Sequence, residues 1–203
     1  MTTATTNLRA AEDRQVLWLQ YATLGWMLVE CCVALTASWR ARSVSLLAFG
    51  ADSFVEVISA LVVLLQFSSR WRIGQERAAR ACGFLLYVLA GIVTAIALFG
   101  LFYKVESDTS RLGMAITAGA LILMPILARK KRNAAIRLGN KALRADAVQS
   151  ATCAYLAAIT LSSLVLRSFF GLYWLDQVAA FVAVPILVVE AKRARKGHTC
   201  ACC

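Results

Sequence analysis

Residues 45–65 read SLLAFGADSFVEVISALVVLL, and this stretch decides the fold class of the chain. It is almost wholly apolar and about as long as the roughly 20 residues that a helix needs to cross a bilayer. Asp52 and Glu56 interrupt it at a spacing of four. On an α-helix that spacing puts both carboxylates on one face, roughly 6 Å apart along the axis. Carboxylates in a membrane helix are costly and usually functional, so we expect a partner, for which a divalent cation is the obvious choice.

The composition of the whole chain extends this prediction. The 203 residues are 60% hydrophobic, with a mean hydropathy of +0.68, whereas a soluble domain is roughly 45–50% apolar. Apolar runs fall at 16–38, 43–68, 81–103, 112–128, 143–167 and 171–191. We therefore predict an all-α, polytopic membrane protein with six transmembrane helices. Pro125 in the fourth run and Pro185 in the sixth are expected to kink or end their helices.

The basic residues predict the orientation of these spans. With both termini on one side, five of the 22 Lys and Arg residues face the opposite side, namely Arg40, Arg42, Lys104, Arg111 and Arg167. The other seventeen accompany the termini, which predicts cytoplasmic termini and a multi-pass protein of the inner (plasma) membrane. The linker 129–144, with Lys131, is expected outside the spans, so no Lys or Arg should lie mid-span to pair with the carboxylates.

The net charge of +11 does not indicate a nucleic-acid partner, because the basic clusters lie between apolar runs and lack interleaved aromatic residues. We expect three segments: a cytoplasmic N-terminal segment at 1–15, a six-helix transporter domain at 16–191, and a basic, Cys-rich cytoplasmic tail at 192–203. No cleavable signal peptide is expected, since the first apolar run is too long for one.

The predicted orientation brings polar residues of the second and fifth helices to matching depths. Asp52 lies about ten residues from the outer end of its helix, and Cys153 lies about ten residues from the inner end of its own, at 1.5 Å per residue. Glu56 and Gln149 match one turn deeper. Two carboxylates, a thiolate and an amide oxygen suit Zn²⁺, with a preference for softer ions. A bound metal favours loss of the Cys153 proton, so we expect metal binding to release protons.

Blander interpretations of two of these residues remain open. Cys153 could be a small apolar filler, and Gln149 could simply hold two helices together. Asp146, seven residues before Cys153, either forms an access path for cations or protons, or pairs with Arg144 or a nearby lysine. Glu30 is an accessory candidate in the first helix.

Two further acidic or metal-ligating features lie near the end of the chain. Asp176 is expected to cap the N-terminus of the sixth helix. The tail carries His198, Cys200, Cys202 and Cys203, which either capture cytosolic metal or belong to an unstructured tail. His198 is the sole histidine and no nucleophile–base arrangement is evident, so an enzyme is not expected.

Three short motifs resemble the cation diffusion facilitator family. In that family the second helix carries A-D-S-x-x-D, and here residues 51–56 read ADSFVE. The fifth helix carries a His or Asp and an Asp at the same spacing, often after R-A-D, and residues 144–153 read RADAVQSATC, which places Gln149 and Cys153 on those positions. The YWLDQVAAF stretch at 173–181 is similar to the start of the family's sixth helix. The chain also looks similar to a short bacterial branch of cation transporters in which ADAV and CAYL on the fifth helix and a terminal Cys pair recur.

The resemblance implies a homodimer that exports a divalent metal ion from the cytoplasm, driven by proton influx, without an organic cofactor. It also implies that the family's cytosolic ferredoxin-like domain is missing. Zn²⁺ is the first choice of substrate, with Cd²⁺, Fe²⁺ and Co²⁺ open. Two alternatives are a metal-binding membrane sensor or partner subunit that does not transport, and a small organic-cation exporter. For the last, Trp26 alone lies well inside a span, which gives little support for an aromatic cage.

Overall fold

The computed structural model describes residues 2–67, 75–103, 108, 110–139, 141–171 and 174–196. In these ranges all regular structure is helical. The six helices are α1 (Thr2–Ala41), α2 (Val44–Phe67), α3 (Gln75–Phe102), α4 (Arg111–Leu138), α5 (Lys141–Phe170) and α6 (Leu175–Lys196). The all-α prediction is confirmed, and each apolar run of the sequence coincides with one helix.

Three helical stretches among the described residues are long and apolar enough to cross a membrane, namely Val16–Ala41, Arg111–Leu138 and Asp146–Phe170. Tyr87–Phe102 and Leu175–Val189 are shorter apolar stretches. Large apolar side chains also cover the outer surface, with Trp39 88% exposed and Phe169 81% exposed. Soluble proteins rarely expose so much contiguous apolar surface, so these features together indicate a membrane protein.

The prolines do not end their helices. α4 continues thirteen residues beyond Pro125, and α6 continues beyond Pro185 to Lys196. A proline removes one backbone hydrogen bond, but packing against neighbouring helices makes this tolerable inside a membrane protein. Of the two expected effects, ending the helix is therefore wrong for both prolines, and a kink stays a prediction.

α4 is also longer than the apolar run that predicts it. The Ser110 side chain accepts a hydrogen bond from Gly113 N at 2.9 Å and so caps the start of the helix. Gly139 ends it in the left-handed conformation, with φ of 60°, and its N–H bonds to the Ala135 and Ile136 carbonyls. Glycine is the residue that adopts this conformation without steric cost. Residues 129–138, expected in a linker, are therefore helical.

The helices pack mainly as three pairs, α1 with α2, α3 with α6, and α4 with α5, and α2 also lies against α5. The apolar core contains large, fully buried side chains, including Met27, Phe49 and Met124. At Gly50 the helices α1 and α2 approach so closely that a Cβ there would lie 3.0 Å from Ala34 Cβ. This close packing brings Glu30 of α1 into contact with Ser53 of α2.

Asp176 caps a different helix from the one expected. Its carboxylate lies at the N-terminus of α2, where it accepts hydrogen bonds from Val44 N at 2.5 Å and Ser45 N at 3.3 Å. The Ser43 hydroxyl donates to it at 2.7 Å, and the Ser45 hydroxyl also bonds to it. A carboxylate here satisfies N–H groups that the helix leaves open and complements the helix dipole. Asp176 thus ties α6 to the start of α2.

We expect Asp176→Ala to destabilise the fold, because it leaves two N–H groups and two hydroxyls of the α2 start without their acceptor. Loss of a helix cap costs about 0.5–2 kcal/mol, which corresponds to a fall in Tm of roughly 1–8 °C for a chain of this size. Thermal unfolding in detergent measures it. The exposed Asp108→Ala is the matched control, and an equal Tm for the two variants would contradict the capping role.

Candidate functional site

The acidic pair of α2 lies in the interior of the helix bundle. Asp52 and Glu56 are both 0% exposed. α2 packs against α1 and α5, so the two carboxylates face protein rather than lipid. Buried intramembrane charges of this kind usually face one another or a polar path.

Glu56 shares its environment with a lysine from α4. The Ser150 hydroxyl of α5 donates a hydrogen bond to Glu56 Oε1. Lys131 Nζ lies 3.6 Å from the same oxygen and donates to Ser150 Oγ at 2.9 Å. The Lys131 side chain is 0% exposed. The expectation that no basic residue lies among the carboxylates is therefore wrong, because α4 extends past residue 128 and turns Lys131 inward.

Asp146 of α5 is the second partner of this lysine. Its Oδ2 lies 2.9 Å from Lys131 Nζ and accepts a hydrogen bond from Gln20 Nε2 of α1 at 2.8 Å. Of the two interpretations of Asp146, pairing with a lysine is present in the structure, although Lys131 is distant in sequence. A role in cation or proton access stays a prediction.

Glu30 of α1 joins three helices. Its Oε1 accepts hydrogen bonds from Ser53 Oγ of α2 at 2.6 Å and from Cys153 Sγ of α5 at 3.4 Å. Its Oε2 accepts one from Trp26 Nε1 at 2.6 Å. Glu30 is 0% exposed, so this accessory candidate lies in the interior and contacts a predicted ligand directly.

The other two predicted ligands lie on α5, which packs against α2. Cys153 is 0% exposed, and its thiol donates a hydrogen bond to Glu30 Oε1 at 3.4 Å. Gln149 is 5% exposed, and its Nε2 has no hydrogen-bond partner within the described part of the chain. The depth matching is close: Glu56 bonds to Ser150, the residue after Gln149.

Together these side chains form the carboxylate cluster, which we define as Glu30, Asp52, Glu56, Asp146 and Lys131. It contains four carboxyl groups and one ammonium group. Glu56 Oε2 and Asp146 Oδ1 have no hydrogen-bond partner among the described residues. Buried charges are costly unless they are matched, and Lys131 contacts Glu56 and Asp146 among these carboxyl groups.

The cluster is not arranged as a closed metal site. Across the described ranges, no three His, Cys, Asp or Glu side chains converge closely enough to hold a metal ion. Cys153 donates to Glu30, and Lys131 lies beside Glu56. Ligation by Asp52, Glu56, Cys153 and Gln149 therefore stays a prediction that requires side chains to rearrange.

Sequence reasoning missed Lys131 and Gln20, although helical spacing marks both. The buried stripe of α4 runs through Thr117, Ala120, Met124, Leu127, Lys131 and Ala134. Only Lys131 of the basic run 129–132 falls on that stripe. The buried stripe of α1 runs through Val16, Gln20, Thr23, Met27, Glu30 and Ala34. Extending each stripe beyond its apolar residues predicts both polar side chains.

The tail ligands His198, Cys200, Cys202 and Cys203 lie outside the described residues. Their role in metal capture stays a prediction.

No family model matches the chain, and no curated protein matches it. The resemblance to the cation diffusion facilitator family therefore stays a hypothesis that rests on the quoted motifs.

Proposed function

We propose that the chain is a membrane transporter that exports a divalent transition-metal cation from the cytoplasm in exchange for protons, in the manner of the cation diffusion facilitators. The observation that carries this proposal is the carboxylate cluster: four carboxyl groups from three helices are buried, whereas Lys131, the one lysine buried among the described residues, contacts two of them, Glu56 and Asp146. A structural role alone would be served by matched pairs, whereas this excess of carboxylates favours a cation as substrate.

The donor atoms favour a transition metal over an alkali or alkaline-earth ion. Carboxylate oxygens from Asp52 and Glu56, the Cys153 sulfur and the Gln149 amide oxygen form a mixed oxygen and sulfur set. Zn²⁺ accepts such a set in tetrahedral geometry, and the sulfur disfavours Mg²⁺ and Ca²⁺. Zn²⁺ is thus the first-choice substrate, and Cd²⁺, Fe²⁺ and Co²⁺ share the chemistry.

Lys131 acts as a competitor of the substrate in this proposal. Its ammonium lies 3.6 Å from Glu56 and 2.9 Å from Asp146, so it uses oxygens near those a metal needs. Two unit charges 4 Å apart repel by about 4 kcal/mol at an effective dielectric constant of 20, and a divalent ion doubles this. Metal loading therefore either moves the Lys131 ammonium away from the carboxylates or releases a proton from the cluster, and release of a proton couples metal binding to proton exchange.

The transport cycle needs a membrane arrangement that the helices support. We infer six spans with both termini in the cytoplasm, in the inner membrane, and a homodimer as the family resemblance implies. Arg129 and Arg132 lie near the Gly139 end of the bundle. Exposed aromatic side chains lie at the opposite end, including Trp39, Phe102, Tyr103, Phe169 and Trp174. Basic cytoplasmic ends and aromatic belts are typical of membrane proteins.

A metal-binding membrane protein that does not transport is the second candidate. The observation that favours it is the closed network of Lys131 with Glu56, Ser150, Asp146 and Gln20, which holds α1, α2, α4 and α5 together. Such a protein binds zinc without moving it across a membrane, so flux separates the two candidates.

We expect Asp52→Asn to reduce zinc flux at least tenfold, because it removes a charged donor while keeping the side-chain shape. Mutation of a residue that only hydrogen-bonds to a metal ligand already lowers metal affinity or activity by about 10–100-fold. Zinc uptake into proteoliposomes with and without a pH gradient measures the effect. Asp108→Asn, at an exposed position, is the control, and wild-type flux in Asp52→Asn would overturn the proposed site.

We expect Lys131→Met to bind zinc at least tenfold more tightly, because the variant keeps the side-chain length but removes the competing charge; about 1.4 kcal/mol suffices for that factor. Zinc titration of the purified protein measures it. Lys130→Met is the matched control, since Lys130 is the exposed neighbour in the same helix.

Lys131→Met also removes a counter-ion from the interior, so Lys131→Arg provides a second variant that keeps the charge. Arginine cannot give up its proton, and we expect this variant to bind zinc more weakly than the wild type. Unchanged zinc affinity in a folded Lys131→Met, or in Lys131→Arg, would show that Lys131 does not compete with the metal.

A further inference from the structure

The α4–α5 hairpin carries a groove on its outer side, away from the carboxylate cluster. The groove has a volume of about 580 Å³ and is lined by apolar residues of both helices together with three arginines. Part of its α5 wall belongs to the 144–153 motif, but none of the proposed metal ligands lines it. One end of the groove is basic and the rest is apolar, and this contrast indicates the kind of ligand that the groove binds.

The arginines gather at one end of the groove. Arg129 and Arg132 lie in the last three turns of α4, and Arg144 lies in the first turn of α5. The turn at Gly139 reverses the chain between them, so all three lie at the same end of the bundle. Arg129 and Arg132 are exposed, and Arg144 is half-buried.

The remainder of the groove is apolar. Leu121 and Pro125 form the α4 wall, and Ala151 and Ala158 belong to the α5 wall. From Arg132 to Leu121 the helix rises about 16 Å, at 1.5 Å per residue. Small side chains on α5 leave the space open. A slot of this length accommodates most of a phospholipid acyl chain beside a head group at the arginine end.

The charge of the lining is of one sign, because its residues include three arginines and no acidic side chain. Guanidinium groups bind phosphate through paired, charge-assisted hydrogen bonds. Basic pockets between membrane helices on the cytoplasmic side are suited to anionic lipid head groups.

We propose that this groove is a binding site for one anionic phospholipid. The phosphate binds Arg129, Arg132 and Arg144, and one acyl chain lies along Pro125 and Ala151 toward Leu121. The chain's own tail does not fit, because Lys192, Arg193, Arg195 and Lys196 make its start basic. The bound lipid clamps the two helices that carry Lys131 and Asp146, so it also stabilises their contact.

The site is tested by lipid retention of the purified protein in detergent. Native mass spectrometry counts bound dioleoyl phosphatidylglycerol and dioleoyl phosphatidylcholine at equal concentrations, which requires no metal flux. Two variants address the two parts of the groove. Arg129→Gln combined with Arg132→Gln and Arg144→Gln removes the phosphate contacts, and Ala151→Leu fills the apolar slot while leaving every charge.

The matched control is a triple variant with Arg40→Gln, Lys130→Gln and Arg111→Gln, which removes the same charge from exposed positions outside the groove. Circular dichroism checks that all variants fold. We expect the wild type and the control to retain phosphatidylglycerol at least tenfold over phosphatidylcholine. Both groove variants should lose this preference.

Three results would overturn the proposal. An equal loss of the phosphatidylglycerol preference in the control and in the groove triple variant would show that general electrostatic attraction holds the lipid. Displacement of the lipid by inorganic phosphate, with Ala151→Leu unaffected, would show an anion site without an acyl slot. A wild-type dimer that Ala151→Leu dissociates, without lipid in either form, would show that a second copy of the chain covers the groove.

Discussion

The contact of Lys131 with Glu56 and Asp146 is the interaction on which the interior of the bundle depends. Lys131 is the basic residue that lies among four buried carboxyl groups, and its ammonium reaches α2 through Glu56 and α5 through Asp146. Removing a partner from a buried ion pair leaves an uncompensated charge, which is more costly than leaving out the pair altogether. The helix ends and the packing of α1, α2, α4 and α5 all serve to place this contact.

Three local features place the contact. Gly139 allows α4 to run to Leu138 before the chain reverses, which keeps Lys131 inside a helix. Gly50 lets α1 approach α2 closely enough for Glu30 to reach Ser53. Asp176 fixes the start of α2 from α6, and so sets the depth of Asp52 and Glu56. Each feature fixes the position of a backbone segment, and that position determines where its polar side chains lie.

The sequence predicts the helices well because the apolar runs are long and the carboxylates interrupt them at helical spacing. It also predicts that Asp52, Glu56, Gln149 and Cys153 are buried on facing helices. It does not predict Lys131, because a basic run after an apolar segment is usually a cytoplasmic linker, and only helical phase separates Lys131 from its neighbours. The capping partner of Asp176 could not be predicted either, since it depends on how α6 lies against α2.

The excess of carboxylates over ammonium groups distinguishes this interior from an ordinary buried ion pair. Lys131 contacts two of these carboxyl groups, and in the proposed function the others bind protons or a metal ion. In the proposed cycle these cations exchange for one another because they use the same oxygens. A lipid bound in the groove on the outer side of the hairpin, as proposed, holds α4 and α5 in the arrangement in which Lys131 contacts Asp146.

The most direct test of this account is the number of protons released when zinc binds to the purified protein. Calorimetric titration in buffers of different ionisation enthalpy measures this number. We predict the release of at least one proton per zinc ion from the wild type, and a smaller release from Glu56→Gln. Zinc binding without proton release, or no zinc binding at all, would contradict the claim that metal and protons compete for the carboxylate cluster.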